Sequence, residues 1–339
     1  MKKTVQLQIG NFGGGVQVDG QTIKTKMVHA LLLKKFESVI TIDIYKFTLL
    51  NYLLLLIKLP YLMYKADSVY IGLGKRGMKI ISPIIVFFGA ILKKKINYYV
   101  IGGWIVPYLE ENKWLIPIYM KFNAILVELH SMESSCRDLG LNNTFYFPNF
   151  RLYEPKPAQI NTIGKSFKFV FFSRVIPEKG IFTAIEALDM LLKQNFSVSL
   201  DIFGPVHDQE VISKIESVDG CNYKGVLSPE GNSIYNTLNN YDLLIFPTYY
   251  EGEGFPGAIV DAFLSGLAVV ASDWKFNKEI IEVGKNGMLF KVKCTASLYN
   301  ILADLCMDKE KVQEMKDYAI ETSRQYTLQP ALNVIDEIL

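Results

Sequence analysis

The sequence predicts an α/β protein built from two doubly wound domains in tandem, and three observations carry that prediction. Short apolar runs alternate with longer helical patterns along nearly the whole chain, as in βαβ units with helices on both faces of a parallel sheet. Pro148, Pro155 and Pro157 interrupt the alternation within ten residues, a polar run extends to Ser166, and the alternation then restarts. Charge changes sign across the same break. Residues 1–155 hold 19 Lys and Arg against 10 Asp and Glu, a net of +9, whereas the remainder carries −7. At 339 residues the chain has room for two domains of roughly 100–200 residues.

In the first half, strands are predicted at Val5–Ile9, Val39–Asp43, Ser68–Ile71, Ile96–Ile101, Ala124–Glu128 and Thr144–Phe147, with helices such as Gln21–Phe36 and Ser131–Leu139 between them. In the second half they fall at Phe167–Ser173, Ser197–Phe203, Cys221–Lys224, Leu243–Phe246, Ala268–Ala271 and Met288–Phe290. Helices such as Gly180–Gln194, Gly257–Ser265 and Ala296–Met307 separate these. From Lys309 to Leu339 the pattern is helical, with a break near Thr327–Pro330. No solenoid repeat is present.

Composition excludes several classes. With 50% hydrophobic and 21% charged residues the chain is neither disordered nor collagen-like. Cys136, Cys221, Cys294 and Cys306 lie far apart and only three histidines occur, which argues against a zinc cluster or a disulfide scaffold and for a reduced, cytoplasmic protein. The basic half suits an anionic partner: nucleic acid, phosphorylated lipid or an acidic membrane surface. The start of the chain lacks the apolar core of a signal peptide. Leu49–Met63 and Ile80–Leu92 are the most apolar stretches, and Lys79 and Lys93–Lys95 bracket the second. Both fall short of the roughly 18–20 uninterrupted apolar residues of a spanning helix. Buried core helices are the favoured reading; an apolar, lysine-flanked face on anionic lipid is the alternative.

Doubly wound sheets bind ligands beyond the carboxyl ends of their strands, and three loops there carry candidate chemistry. The first, Gly10–Gly15, holds Gly13, Gly14 and Gly15 ahead of a helix, so bare amides and a positive dipole end can meet an anion. It has neither P-loop nor dinucleotide spacing, and a flexible turn explains it equally well. The second, Phe172–Gly180, sets Arg174 and Lys179 five residues apart, a planar fork and a mobile point charge suited to a diphosphate. The third, Pro247–Gly257, carries Glu253 at its tip and leads into a helix containing Asp261, eight residues on and near the same face. Gly254 and Gly257 around Pro256 leave bare amides at the helix start, and two acids beside them suit a polyhydroxylated ligand.

The second and third loops together resemble the family 4 glycosyltransferases, retaining enzymes of the GT-B fold. That family reads Arg-x4-Lys-Gly, here Arg174…Lys179-Gly180, then Glu-Gly-Phe/Cys-Pro opening a Glu-x7-Glu motif, here Glu253-Gly254-Phe255-Pro256…Asp261. The runs Ser265–Asp273 and Asn286–Phe290 fit as well, and Gly10-Asn11-Phe12…Gly20–Lys24 is similar to members that build bacterial surface polysaccharides.

The resemblance implies two Rossmann-like domains facing a central cleft: an acceptor-binding domain over 1–155, a nucleotide-sugar-binding domain over 156–320, and a C-terminal helix, 321–339, packing back on the first. It implies that Arg174 and Lys179 hold the donor diphosphate and that Glu253 contacts the donor sugar; these three are the catalytic candidates. Gly254, Phe255, Pro256 and Gly257 would meet sugar hydroxyls or phosphate, Asp261 the ribose, and Gly14 and Gly15 complete the donor-binding set. Asp261 departs from the family's second Glu, and Val100–Trp104 has no histidine where many members carry one. The chain has no Asp-x-Asp, so no metal or other cofactor is expected. The implied partners are a UDP- or GDP-linked sugar and a glycan or polyisoprenyl-diphosphate-linked acceptor at the inner face of the cytoplasmic membrane, with no nucleic acid. The implied function is retaining hexosyl transfer in capsule, exopolysaccharide or O-antigen biosynthesis. A GT-B sugar-nucleotide epimerase and a non-catalytic partner subunit remain the alternatives.

Overall fold

The computed structural model describes residues 4–15, 19–155, 162–228 and 231–339; part of the predicted linker, 156–161, lies outside them. The chain forms two compact units, one running to Leu152 and taking in Leu328–Leu339, the other Tyr153–Thr327. All twelve predicted strands form, with ends shifted by at most two residues.

In the first unit β1 (Val5–Gly10), β2 (Ser38–Asp43), β3 (Ser68–Gly72), β4 (Lys95–Tyr99), β5 (Ala124–Val127) and β6 (Thr144–Tyr146) take the order β2-β1-β3-β4-β5-β6. Every pairing is parallel, so helices must cover both faces, and β3 and β5 are buried along their whole length. The step from β1 to β2 runs one way and all later steps run the other. Right-handed crossovers therefore place helix Gly20–Lys35 on one face and helices Leu49–Lys65 and Lys75–Leu92 on the opposite face. The last helix, Leu328–Ile338, packs Ala331, Ile335 and Ile338 against Val28, Leu31 and Leu32. Pro330 sits in its first turn, where a missing N–H breaks no helical bond.

Two of these helices correct the sequence reading. Leu49–Lys65 buries only one stripe, Leu55, Leu59 and Met63, and Lys75–Leu92 likewise leaves Ile80, Phe87 and Ile91 exposed. Neither is a buried core helix. Periodicity could not reveal this, because both faces of each helix are apolar. Among the described residues no helix is long and apolar enough to cross a membrane.

In the second unit β7 (Phe167–Phe172), β8 (Val198–Phe203), β9 (Cys221–Tyr223), β10 (Leu243–Phe246), β11 (Ala268–Ser272) and β12 (Gly287–Phe290) take the order β12-β11-β10-β7-β8-β9, again all parallel. Counted from β7, this is the 3-2-1-4-5-6 order of dinucleotide-binding sheets, which reverses direction between β7 and β10. Phe169, Phe171, Leu188, Leu200 and Leu302 are among the side chains filling its core.

Candidate active site

Loops leaving β7 and β10 turn opposite ways at the reversal, and such a parting is where open parallel sheets bind ligands. Arg174 and Lys179 stand on the first loop, Glu253 on the second. Gly180 lets the loops approach: its φ is +79°, and a Cβ there would lie 2.1 Å from the Pro247 carbonyl oxygen. Tyr249 N–H donates to the Glu178 carbonyl at 2.8 Å, tying one loop to the other.

Residues 177–179 form a single tight turn that leaves Arg174 exposed and carries Lys179 inward. The Lys179 ammonium meets Glu253 Oε2 at 2.5 Å, and Thr248 Oγ1 donates to the same oxygen at 2.9 Å. The Tyr250 ring lies 4.8 Å from the Arg174 guanidinium and 5.1 Å from the Lys179 ammonium, within cation–π range of both. A second layer holds this loop. Ser272 Oγ, at the end of β11, donates to the Thr248 carbonyl at 2.5 Å, and Trp274 Nε1 donates to the Tyr250 carbonyl at 3.0 Å. The result is a preorganised cluster of two cations, one carboxylate and an aromatic face.

Arg174, Lys179 and Glu253, three residues singled out from sequence, thus come together. Glu253 lies in the loop and Asp261 in the helix that follows it. The helix, Gly257–Leu264, starts four residues after Glu253, and Asp261 is buried in its second turn, 5% exposed. The Phe255 side chain turns inward onto Tyr326, their ring centroids 5.5 Å apart, and Pro256 is the helix N-cap. Gly254 and Gly257, which flank them, are half-buried. Thr248, Tyr250, Ser272 and Trp274 were not singled out. Their side chains are common polar and aromatic types, and only the fold gives them a role.

The glycine loop of the first unit differs from its prediction. Phe12 N–H and Gly14 N–H donate to the Asp43 carboxylate at 2.9 and 3.0 Å, so an acid at the end of β2 already occupies the amides. The Gly14 amide is therefore committed within the protein, whereas Gly15 is exposed and a Cβ there would meet nothing within 4 Å. The helix that follows carries its own acid, Asp19, which accepts from Thr22 N–H at its start. Farther along the same sheet edge, Lys24 is buried. It donates to the Pro148 and Phe147 carbonyls at 2.7 and 3.2 Å and lies 3.6 Å from Glu128. Burial pulls its pKa down to about 8, with Arg151 adding to the fall and Glu128 opposing it. Glu128 in turn accepts the Gly102 N–H at 3.0 Å, anchoring the loop that lacks the family histidine. His130 is exposed and stacks on Tyr146 at 3.7 Å between centroids. Among the described residues, no group of three or more His, Cys, Asp or Glu is arranged to hold a metal ion.

Residues 153–322 match the family described as Glycosyl transferases group 1. The chain is 24% identical over 190 residues to the poly(glycerol-phosphate) alpha-glucosyltransferase of Bacillus subtilis strain 168, covering 56% of this chain and 28% of that protein. It is 25% identical over 215 residues to the UDP-Gal:alpha-D-GlcNAc-diphosphoundecaprenol alpha-1,3-galactosyltransferase of Escherichia coli, covering 58% and 55% respectively. Both matches span well under two thirds of the relative's own length. Among solved structures, Anabaena HepE in complex with UDP and glucose superposes with a TM-score of 0.72 at 18% identity over 98% of each chain. That likeness is one of fold.

Proposed function

Because the chain belongs to the group 1 glycosyl transferases, we propose that it is a retaining glycosyltransferase of the family 4 type. In this reading it moves a hexose from a UDP- or GDP-linked donor to a glycan or lipid-linked glycan during assembly of a bacterial surface polysaccharide. The observation that supports it best is the meeting of Arg174, Lys179 and Glu253 where β7 and β10 part.

Each group then has a task. Departure of the diphosphate places negative charge on its oxygens, and the Arg174 fork with the Lys179 ammonium stabilises that charge without a metal. Glu253 faces the anomeric carbon, where positive charge develops, and Thr248 and Lys179 fix its orientation. Gly254 and the start of helix Gly257–Leu264 receive sugar hydroxyls or phosphate. Asp261, one methylene shorter than the Glu of related chains, anchors the ribose.

The test is a panel of nucleotide-sugars offered with and without glycan and polyisoprenyl-diphosphate acceptors, in EDTA throughout. Release of nucleoside diphosphate that requires an acceptor is the expected result. Donor turnover without acceptor would favour an epimerase. Tight donor binding without turnover would favour a partner subunit. Activity restored only by added magnesium or manganese would overturn the metal-free chemistry.

A further inference from the structure

The outer face of helix Leu49–Lys65 is apolar where a surface helix ordinarily presents charge. Leu50, Leu53, Leu54, Ile57, Tyr61 and Tyr64 are all exposed, Ile57 at 75% and Tyr64 at 71%. At about 100° per residue they fall within an arc of about 100°, while the buried Leu55, Leu59 and Met63 point the opposite way. The inner stripe is the one that packs in its own unit; the outer stripe has no such purpose. Helix Lys75–Leu92 touches this helix and lengthens the surface with Ile80, Phe87 and Ile91, spaced i, i+7, i+11 along one line. A continuous apolar surface of this kind marks an interaction site.

Charge selects the occupant. From Ile44 to Asn97 the chain has nine Lys and Arg and one acid, Asp67, whose carboxylate accepts the Val5 N–H. Lys58 and Lys65 border the outer stripe on its own helix, and Lys46, Lys75, Lys79 and Lys93 are exposed nearby. A second copy of the chain would set two such surfaces face to face, like charge against like charge. An anionic bilayer complements both properties at once. We propose that these two helices dock the first unit on anionic lipid. The outer stripe enters the boundary between headgroups and acyl chains, Tyr61 and Tyr64 sit at headgroup depth, and the lysines meet lipid phosphates. The inference rests on this surface alone and not on the reading of the donor site.

Flotation of the full chain with vesicles tests it, using phosphatidylglycerol mixed into phosphatidylcholine against phosphatidylcholine alone. Binding to the anionic vesicles, weakened by raising salt from about 0.1 to 1 M, is the expected result. Leu53→Gln/Ile57→Gln should lower vesicle partitioning by at least about tenfold. Both side chains are exposed, so its thermal midpoint should match wild type, and a Leu55→Val control on the buried stripe should float normally. Equal binding to neutral vesicles, unchanged binding by the double variant, or no binding at all would each overturn the proposal. So would a lipid-free dimer in sedimentation that the double variant abolishes. Flotation records no sugar transfer, so its failure leaves the donor-site reading untouched, and the converse also holds.

Discussion

Each unit places a lysine–glutamate pair beyond the carboxyl ends of its strands, and the two pairs have different surroundings. Lys24 and Glu128 are 1% and 2% exposed; Lys24 donates to two main-chain carbonyls and Glu128 accepts a main-chain N–H. Those bonds hold β6's exit, helix Gly20–Lys35 and the Gly102 loop in register. Lys179 and Glu253 are 9% and 10% exposed, bonded to each other, with the exposed Arg174 and the Tyr250 ring alongside. A phosphate oxygen and a sugar hydroxyl can replace that mutual pairing. The same two residue types thus form a structural clamp in one sheet and, in the proposed reading, a ligand-facing pair in the other. The partners of each side chain, rather than its charge, decide which.

The largest expected effect falls in the first unit. Lys24→Met takes one cation away from a buried carboxylate, and breaking a buried pair from one side costs about 3–5 kcal/mol of stability. Lys24→Met/Glu128→Gln removes both charges while the amide still accepts from Gly102, so it should recover most of the loss. Urea unfolding reads both. A double variant as unstable as the single one would show that the pair is not the source. Nucleoside-diphosphate affinity should not change in either, because Arg174, Lys179 and Glu253, the groups proposed to hold the donor, belong to the second unit.

Glu253→Gln should show the reverse pattern. Loss of one preorganised electrostatic group typically lowers turnover about a hundred- to a thousand-fold. The amide can still accept from Thr248, and Lys179 keeps the rings of Tyr250 and Phe246, so the stability loss should be about 1–2 kcal/mol. Steady-state kinetics beside a thermal melt settle the split, and near-wild-type turnover would remove Glu253 from the reacting centre.

How much of this was legible follows the same division. The strands were readable because a parallel sheet buries continuous apolar runs. The loops carrying Arg174, Lys179 and Glu253 were readable because the residues that make them lie within a dozen positions of one another. Lys24 and Glu128 are 104 positions apart and look like surface charges until the fold closes over them. Asp43 reaching the Gly14 amide, and Ser272 and Trp274 bracing the 247–257 loop, are likewise contacts between distant segments. The outer stripe of Leu49–Lys65 was hidden for a different reason. Apolar residues on both faces give the same pattern whether one face is covered or both.

Arg174→Ala should have a smaller effect. Its guanidinium is exposed, so folding should hardly change, while loss of a charge-assisted bond weakens nucleoside-diphosphate binding about ten- to a hundred-fold. Arg174→Lys keeps the charge without the planar fork and should fall between the two. Calorimetry showing unchanged affinity in Arg174→Ala would take the diphosphate away from this loop.

The smallest effect comes from the proton on Lys24. Its pKa is about 8 in the folded chain against an ordinary 10.5, because burial disfavours the charged form. Between those values the folded chain has released a proton that the unfolded chain still holds, so stability rises with pH across the window. From pH 7 to 9 the gain should be about 1 kcal/mol. Cysteines act in the opposite sense. Burial pushes the Cys136, Cys221 and Cys306 thiols up to about 12 from 9, so the folded state keeps protons the unfolded state loses, and stability falls above pH 9. The raw profile of the wild type therefore hides the lysine. Subtracting the profile of Lys24→Met/Glu128→Gln cancels the thiols, and the wild type should gain on that variant by about 1 kcal/mol between pH 7 and 9. A constant difference would mean that Lys24 keeps its proton throughout, and the sealed character assigned to the first pair would fail with it.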